Sequence, residues 1–200
     1  NPVGVRSCYD EGKRCAETLF FDYQRQHGVE IKVARIFNTY GPRMDPHDGR
    51  VISNFIRQAL ADEPLTIYGD GTQTRSFCFV DDLVEGIRRL MDAAPERPAD
   101  GNVPEGDSLS PVAPFRVVNI GNSEPVQLTE FIEAIEEATG LNATRNLMPM
   151  QPGDVPATWA DATLLRSLTG YPPRSSVREG VAKFVAWYRD YYLRNSNESA

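Results

Sequence analysis

Tyr9 and Lys13 stand four residues apart in C-Y-D-E-G-K-R, a spacing that brings two side chains onto one face of a helix. An ammonium beside a phenol favours the phenolate, so a pair of this kind can take and return a proton near neutral pH. Other chemistries find less to build on. Cys8 and Cys15 are seven residues apart and Cys78 is remote from both, which matches neither a C-x-x-C nor a zinc-ligand pattern. His27 and His47 are the only histidines, so a Cys/His metal site or a Ser-His-Asp triad would rest on one of two residues in polar loops.

The elements that must carry the pair are legible. Cys15, Leu19, Phe20 and Tyr23 recur at helical spacing between Tyr9 and Gln26, and Gly28 supplies a stop. Ile31 to Phe37 alternates as a strand and runs into the turn-rich Asn38-Thr39-Tyr40-Gly41-Pro42. Val51, Ile52, Phe55, Ile56, Ala59 and Leu60 form the next helical stripe, followed by a short strand at Leu65 to Tyr68 and the turn Gly69-Asp70-Gly71. Ser76 to Val80 reads as extended, and Asp81 and Asp82 open a helix through Met91. Val117 to Ile120 is a strand, Leu128 to Thr139 a helix, and Val177, Val181, Phe184, Val185 and Tyr188 a last helical stripe. Helices alternate with strands, which predicts an α/β fold with a mostly parallel sheet. Residues 94–114 are rich in Pro, Gly and Ser with little that could pack, and are expected to be a flexible insertion.

Twenty-eight acidic against 21 basic residues give a net charge of −7, which argues against nucleic acid or an anionic membrane as partner. No apolar run reaches the roughly 20 residues of a membrane span and no signal-peptide pattern opens the chain, so a cytoplasmic location is expected. The 15 glycines include no G-x-G-x-x-G, the loop that brings a dinucleotide pyrophosphate to a helix N-terminus.

Taken together, C-Y-D-E-G-K-R, A-R-I-F-N-T-Y-G-P-R-M and G-D-G-T-Q-T-R-S-F resemble the extended short-chain dehydrogenase/reductase family, in its NAD-dependent nucleotide-sugar epimerases and decarboxylases. The resemblance runs over nearly all of the chain. C-Y-D-E-G-K-R, A-R-I-F-N-T-Y-G-P-R-M and Q-T-R-S-F are similar to UDP-glucuronate decarboxylases, whereas M-P-M-Q-P-G-D-V-P-A-T-W-A-D and F-V-A-W-Y-R-D-Y-Y look like UDP-glucuronate 4-epimerases.

The resemblance implies NAD as cofactor, with Tyr9 as catalytic acid/base and Lys13 holding the nicotinamide ribose. It implies Thr39 and Arg50 as further NAD contacts, and Asn38, Arg75 and Asp154 as contacts to a UDP-sugar. It also implies a homodimer paired through the Tyr9 helix. Its fold would be the C-terminal portion of a Rossmann-like parallel sheet interleaved with a small α/β substrate domain. Residues 1–38, 76–93 and 115–122 would belong to the NAD-binding part, and residues 39–75 and 123–200 to the nucleotide-sugar part.

Decarboxylases of the family place an arginine shortly before the A-D-like pair, and Pro156-Ala157-Thr158-Trp159 has none. That absence leads to the expectation of a 4-epimerase acting on a UDP-hexuronate or UDP-hexose. Decarboxylation of UDP-glucuronate and a non-catalytic nucleotide-sugar-binding fragment are the alternatives. With the glycine loop upstream, the 200 residues alone are expected to be inactive.

Overall fold

The computed structural model describes residues 2–93 and 99–194. Helix α1 (Ser7–His27) begins just before Tyr9 and ends where Gly28, at φ 67°, donates its N–H to Gln24 O and closes the helix in a left-handed cap. Strand β1 (Ile31–Ile36), β2 (Thr39–Tyr40) and helix α2 (Val51–Leu60) follow, α2 burying Ile52, Phe55, Ile56 and Ala59 on one face. Then come β3 (Leu65–Tyr68), β4 (Thr74–Ser76), β5 (Cys78–Phe79) and α3 (Val80–Asp92). The next elements are β6 (Phe115–Ile120), β7 (Pro125–Gln127), α4 (Leu128–Thr139), β8 (Arg145–Met148) and β9 (Ala157–Thr158). Helices α5 (Thr163–Thr169) and α6 (Val177–Tyr188) complete the order, with a π-helical continuation over Arg189–Arg194. Capping boxes at Gln127/Glu130 and Ser176/Glu179 satisfy the first N–H groups of α4 and α6.

The fold is mixed α/β, and among the described residues four of the five strand pairings are parallel. They are distributed over four small sheets rather than gathered into one. β1 and β6 pair along their whole length, from Ile31 opposite Phe115 to Ile36 opposite Ile120. β4 lies between antiparallel β7 and parallel β9, which sets Arg75 opposite Thr158. The largest apolar cluster joins Tyr40, Phe55, Phe77, Phe79, Phe131 and Phe184 between α2, α4 and α6. A second cluster joins Cys78, Leu83, Val118, Ile120 and Leu165, so α5 packs against α3 and β6.

The insertion departs from its composition. Residues 94–98 lie outside the described part, but further along Leu109 and Ala113 are each only 4% exposed. Arg116 in β6 holds Asp107 through two N–H donors at 3.0 Å, and Ser110 N donates to Phe115 O. Proline and glycine exclude regular structure, not packing, and this strap covers the outer edge of β6, a row of backbone groups that would otherwise lack partners. The expectation of little that packs is therefore corrected for residues 107–113.

Candidate functional site

One face of α1 presents Tyr9, Lys13 and Glu17 to a cleft of about 560 Å³ against β1. Phe21 seats the helix by packing edge-on against Phe115, ring centroids 5.0 Å apart. The Tyr9 side of the helix is left open, with the residue 56% exposed. Lys13 Nζ stands 5.4 Å from the Tyr9 ring centroid and the Arg6 guanidinium carbon 5.5 Å, both within cation–π range. Glu17 is held by Arg35 of β1 through two bonds of 2.7 Å. The fork holds the Glu17 carboxyl below the usual carboxylate range and pushes the Arg35 guanidinium up.

Other proton-bearing groups are less suited. Burial pushes the Tyr40 phenol up, and burial together with Asp82 does the same to Tyr171, so neither ionises readily. Burial also pushes the Cys78 thiol up to about 12, which leaves no thiolate nucleophile there.

A second cavity, of about 520 Å³, opens beside the first turn of α2, where Gly49, Val51 and Asn54 line it together with Gln73, Arg75 and Asp154. Strand β4 sets Arg75 into its wall. Arg75 Nη2 donates to Asp154 Oδ1 at 2.8 Å and to Val155 O at 2.6 Å, while Nη1 donates to Thr74 O at 2.9 Å. The guanidinium is thereby fixed in plane. A planar cation and a helix N-terminus on one wall suit an anionic, phosphate-bearing ligand. Gln73 Nε2 donates to Tyr68 O at 2.7 Å, which leaves Gln73 Oε1 as a buried acceptor without a partner among the described residues.

The structure thus brings Tyr9 to Lys13 and Arg75 to Asp154. Asn38 sits between β1 and β2 and donates from Nδ2 to Ser76 O at 3.2 Å, next in sequence to Arg75. Thr39 Oγ1 donates to Phe37 O, and the exposed Arg50 occupies the N-cap position of α2 with its Nε 3.5 Å from Asp48. Neither Thr39 nor Arg50 lines the Tyr9 cleft. Sequence reading missed Glu17, although its place four residues after Lys13 was a usable signal. It also missed Arg35, Asn54 and Gln73, which no local spacing marks. Among the described residues no cluster of His, Cys, Asp and Glu could hold a metal ion, and no helix is long and apolar enough to cross a membrane.

Comparison with known proteins adds a family. A model of the NAD dependent epimerase/dehydratase family matches residues 1–103. UDP-glucuronic acid decarboxylase 5 of Arabidopsis thaliana is 48% identical over 181 residues, covering 90% of this chain and 48% of that protein. UDP-glucuronic acid decarboxylase 2 of the same plant is 44% identical over all 200 residues and 41% of its own length. The chain therefore spans less than half the length of these relatives. Among solved structures, UDP-glucuronic acid 4-epimerase from Bacillus cereus, in complex with UDP-glucuronic acid and NAD, superposes with a TM-score of 0.72 at 30% identity, over 88% of this chain and 50% of that one.

Proposed function

Because the chain belongs to the NAD-dependent epimerase/dehydratase family, we propose that it forms part of a UDP-glucuronate decarboxylase that oxidises the sugar at C4 and lets the resulting β-keto acid lose carbon dioxide. The observation that carries this reading is identity of 44–48% to decarboxylases over 90–100% of the chain, against 30% to the 4-epimerase. It reverses the preference drawn from the missing arginine at 156–159. Thr158 is a ladder residue opposite Arg75, whereas the Arg6 guanidinium carbon stands 5.5 Å from the Tyr9 ring centroid, and a Cβ built on Gly153 would lie 3.7 Å from Arg6 Cβ. An arginine beside the proton-transfer tyrosine can thus come from Arg6.

In this reading residues 1–38, 76–93 and 115–122 serve the NAD-binding part, and residues 39–75 and 123–200 hold the nucleotide sugar. The Tyr9 cleft fits the cofactor's ribose, since a phenol and an ammonium that forms no ion pair among the described residues face it. NAD, when bound, supplies the hydride acceptor for C4. Tyr9 takes the C4 hydroxyl proton through its phenolate oxygen, and Lys13 stabilises that oxygen's charge and hydrogen-bonds the ribose. Arg75 binds the diphosphate and Asp154 a ribose hydroxyl, in the cavity they share, and Asn38 orients the sugar between the two sites. Thr39 and Arg50 extend the NAD contacts. Leu19, Phe20 and Tyr23, each 48–61% exposed on α1, supply an apolar face for a homodimer.

The test is to incubate the complete enzyme with NAD and UDP-glucuronate and follow the sugar by proton NMR. UDP-xylose or a UDP-4-keto-pentose is expected. UDP-galacturonate without loss of carbon dioxide rejects decarboxylation in favour of epimerisation, and no turnover with retained UDP binding leaves a nucleotide-sugar-binding protein.

A further inference from the structure

We infer that Arg35 is a positioning residue for Tyr9: by holding Glu17 it keeps that carboxylate off Lys13 and leaves the Lys13 ammonium to the Tyr9 phenol. Tyr9, Lys13 and Glu17 follow one another at four-residue intervals on the face of α1 that lines one cleft. Lys13 therefore has a phenol one turn before it and a carboxylate one turn after it. Oppositely charged side chains three or four residues apart can pair on helices, so an unrestrained Glu17 is within reach of Lys13, and of Arg14, whose charge already acts on it. A lysine paired with a carboxylate has lost most of the field it could exert on a phenol.

The structure resolves the competition from outside the helix. Arg35, on β1, gives one N–H to each oxygen of Glu17, both at 2.7 Å, and a guanidinium fork matched to a carboxylate leaves it little reason to seek a second cation. Among the described residues no ion pair joins Glu17 to Lys13, whose ammonium instead lies 5.4 Å from the Tyr9 ring centroid. The charged groups around the phenol are Arg6 over its ring and Asp10, Lys13, Glu17 and Arg35 in the cleft. Arg6 and Asp10 are retained in every variant that alters Arg35 or Glu17, so they are common to the comparison. Arg35 also sits on the strand that leads to Asn38, so the same bonds fix the height of α1 against that strand.

Two roles can therefore be separated: anchoring the helix, or sequestering a competitor. The inference rests on the reading of Tyr9 as proton acceptor for its catalytic meaning, but its measurement needs neither NAD nor sugar. This chain is labelled at tyrosine Cζ with carbon-13, the Tyr9 signal is identified by its loss in Tyr9→Phe, and its shift is followed against pH. In Arg35→Met the Tyr9 midpoint is expected to rise, because Glu17 captures Lys13. In Arg35→Met/Glu17→Gln it returns towards the parent value, because Glu17 no longer competes for Lys13.

A midpoint that does not move in Arg35→Met overturns the inference, and so does a double variant as displaced as the single one, which is what loss of an anchor produces. If Arg35→Met does not fold, Arg35→Lys replaces it. A single ammonium leaves one Glu17 oxygen free, so a smaller rise reversed by Glu17→Gln is expected, and no rise overturns the proposal. A complete enzyme that turns over no sugar nucleotide would defeat the decarboxylase reading while leaving this titration standing.

Discussion

Arg75 and Asp154, 79 residues apart in sequence, meet at 2.8 Å on the wall of one cavity. The guanidinium is also tied to Thr74 O and Val155 O, so its plane does not depend on the carboxylate alone. On the proposed reading, a diphosphate entering the cavity would meet a cation already oriented. Replacing Arg75 by Gln removes the charge and is expected to weaken UDP binding to this chain by roughly ten- to a hundredfold, the scale of a hydrogen bond to a charged group. Asp154→Asn keeps an acceptor and should cost less than about tenfold. Calorimetry with UDP decides it, and an Arg75→Gln chain that binds UDP as the parent does removes Arg75 from the ligand site.

Tyr9→Phe in the complete enzyme takes away the proposed proton acceptor and leaves the ring that packs beneath Arg6 and Lys13. Turnover is expected to fall by roughly a hundredfold or more, with KM for the sugar nucleotide little changed. Steady-state rates with UDP-glucuronate and NAD check this. A variant within about threefold of the parent would return Tyr9 to the status of a surface residue.

Asp82, in α3, ties that helix to the segment ahead of α6. Only 8% exposed, it accepts from the Tyr171 hydroxyl at 2.7 Å, Arg174 N at 3.0 Å and Ser175 N at 2.7 Å. Burial acts to raise its carboxyl, but the hydrogen bonds from Ser175, Tyr171 and Arg174 prevail and hold it below the usual carboxylate range. A group depressed on folding contributes stability above its unfolded pKa, about 4, and loses that contribution as pH falls through the lower folded value. Asp82→Asn should therefore lose about 3 kcal/mol at pH 7, and its deficit against the parent should shrink below about pH 4. Urea titrations at both pH values test this; a deficit independent of pH contradicts it.

What could be read from the sequence follows how local each signal is. The Tyr9-Lys13 pair and the strand after it lie within one helix and one alternating run, so periodicity found both. Helix α4 was read to its last residue because its apolar face is regular and Gly140 stops it in a left-handed cap. Strand β8 gave no such signal: all four residues from Arg145 to Met148 are exposed, so there is no alternation to read, and its pairing with β3 spans 80 residues of sequence. The two-residue β9 and the seven-residue α5 are shorter than any periodic window. Arg75 and Asp154 entered only through family resemblance, since no spacing rule links residues that meet by tertiary folding. Arg35 was invisible for the same reason.

Gly180 marks the tightest approach in the large apolar cluster. A Cβ built on it would lie 2.8 Å from Tyr40 Cζ and 2.9 Å from Phe79 Cδ2. Neither ring has room to retreat: both are 1% exposed, and Tyr40 packs edge-on against Phe77, Phe79 and Phe131 while its hydroxyl donates to Val177 O at 3.4 Å. The backbone at Gly180 is ordinary helix, so the cost of a side chain there is steric alone. Overpacking of about 3 kcal/mol set against a helix-propensity gain of about 1 leaves Gly180→Ala about 2 kcal/mol less stable. Gly12 provides the contrast, because it lies within α1 and its Cβ would meet nothing within 4 Å. Gly12→Ala should keep the propensity gain and become up to about 1 kcal/mol more stable. Urea midpoints of the two variants should therefore move in opposite directions, and a Gly180→Ala midpoint at or above the parent's would show that α6 and the Tyr40 ring can separate without loss.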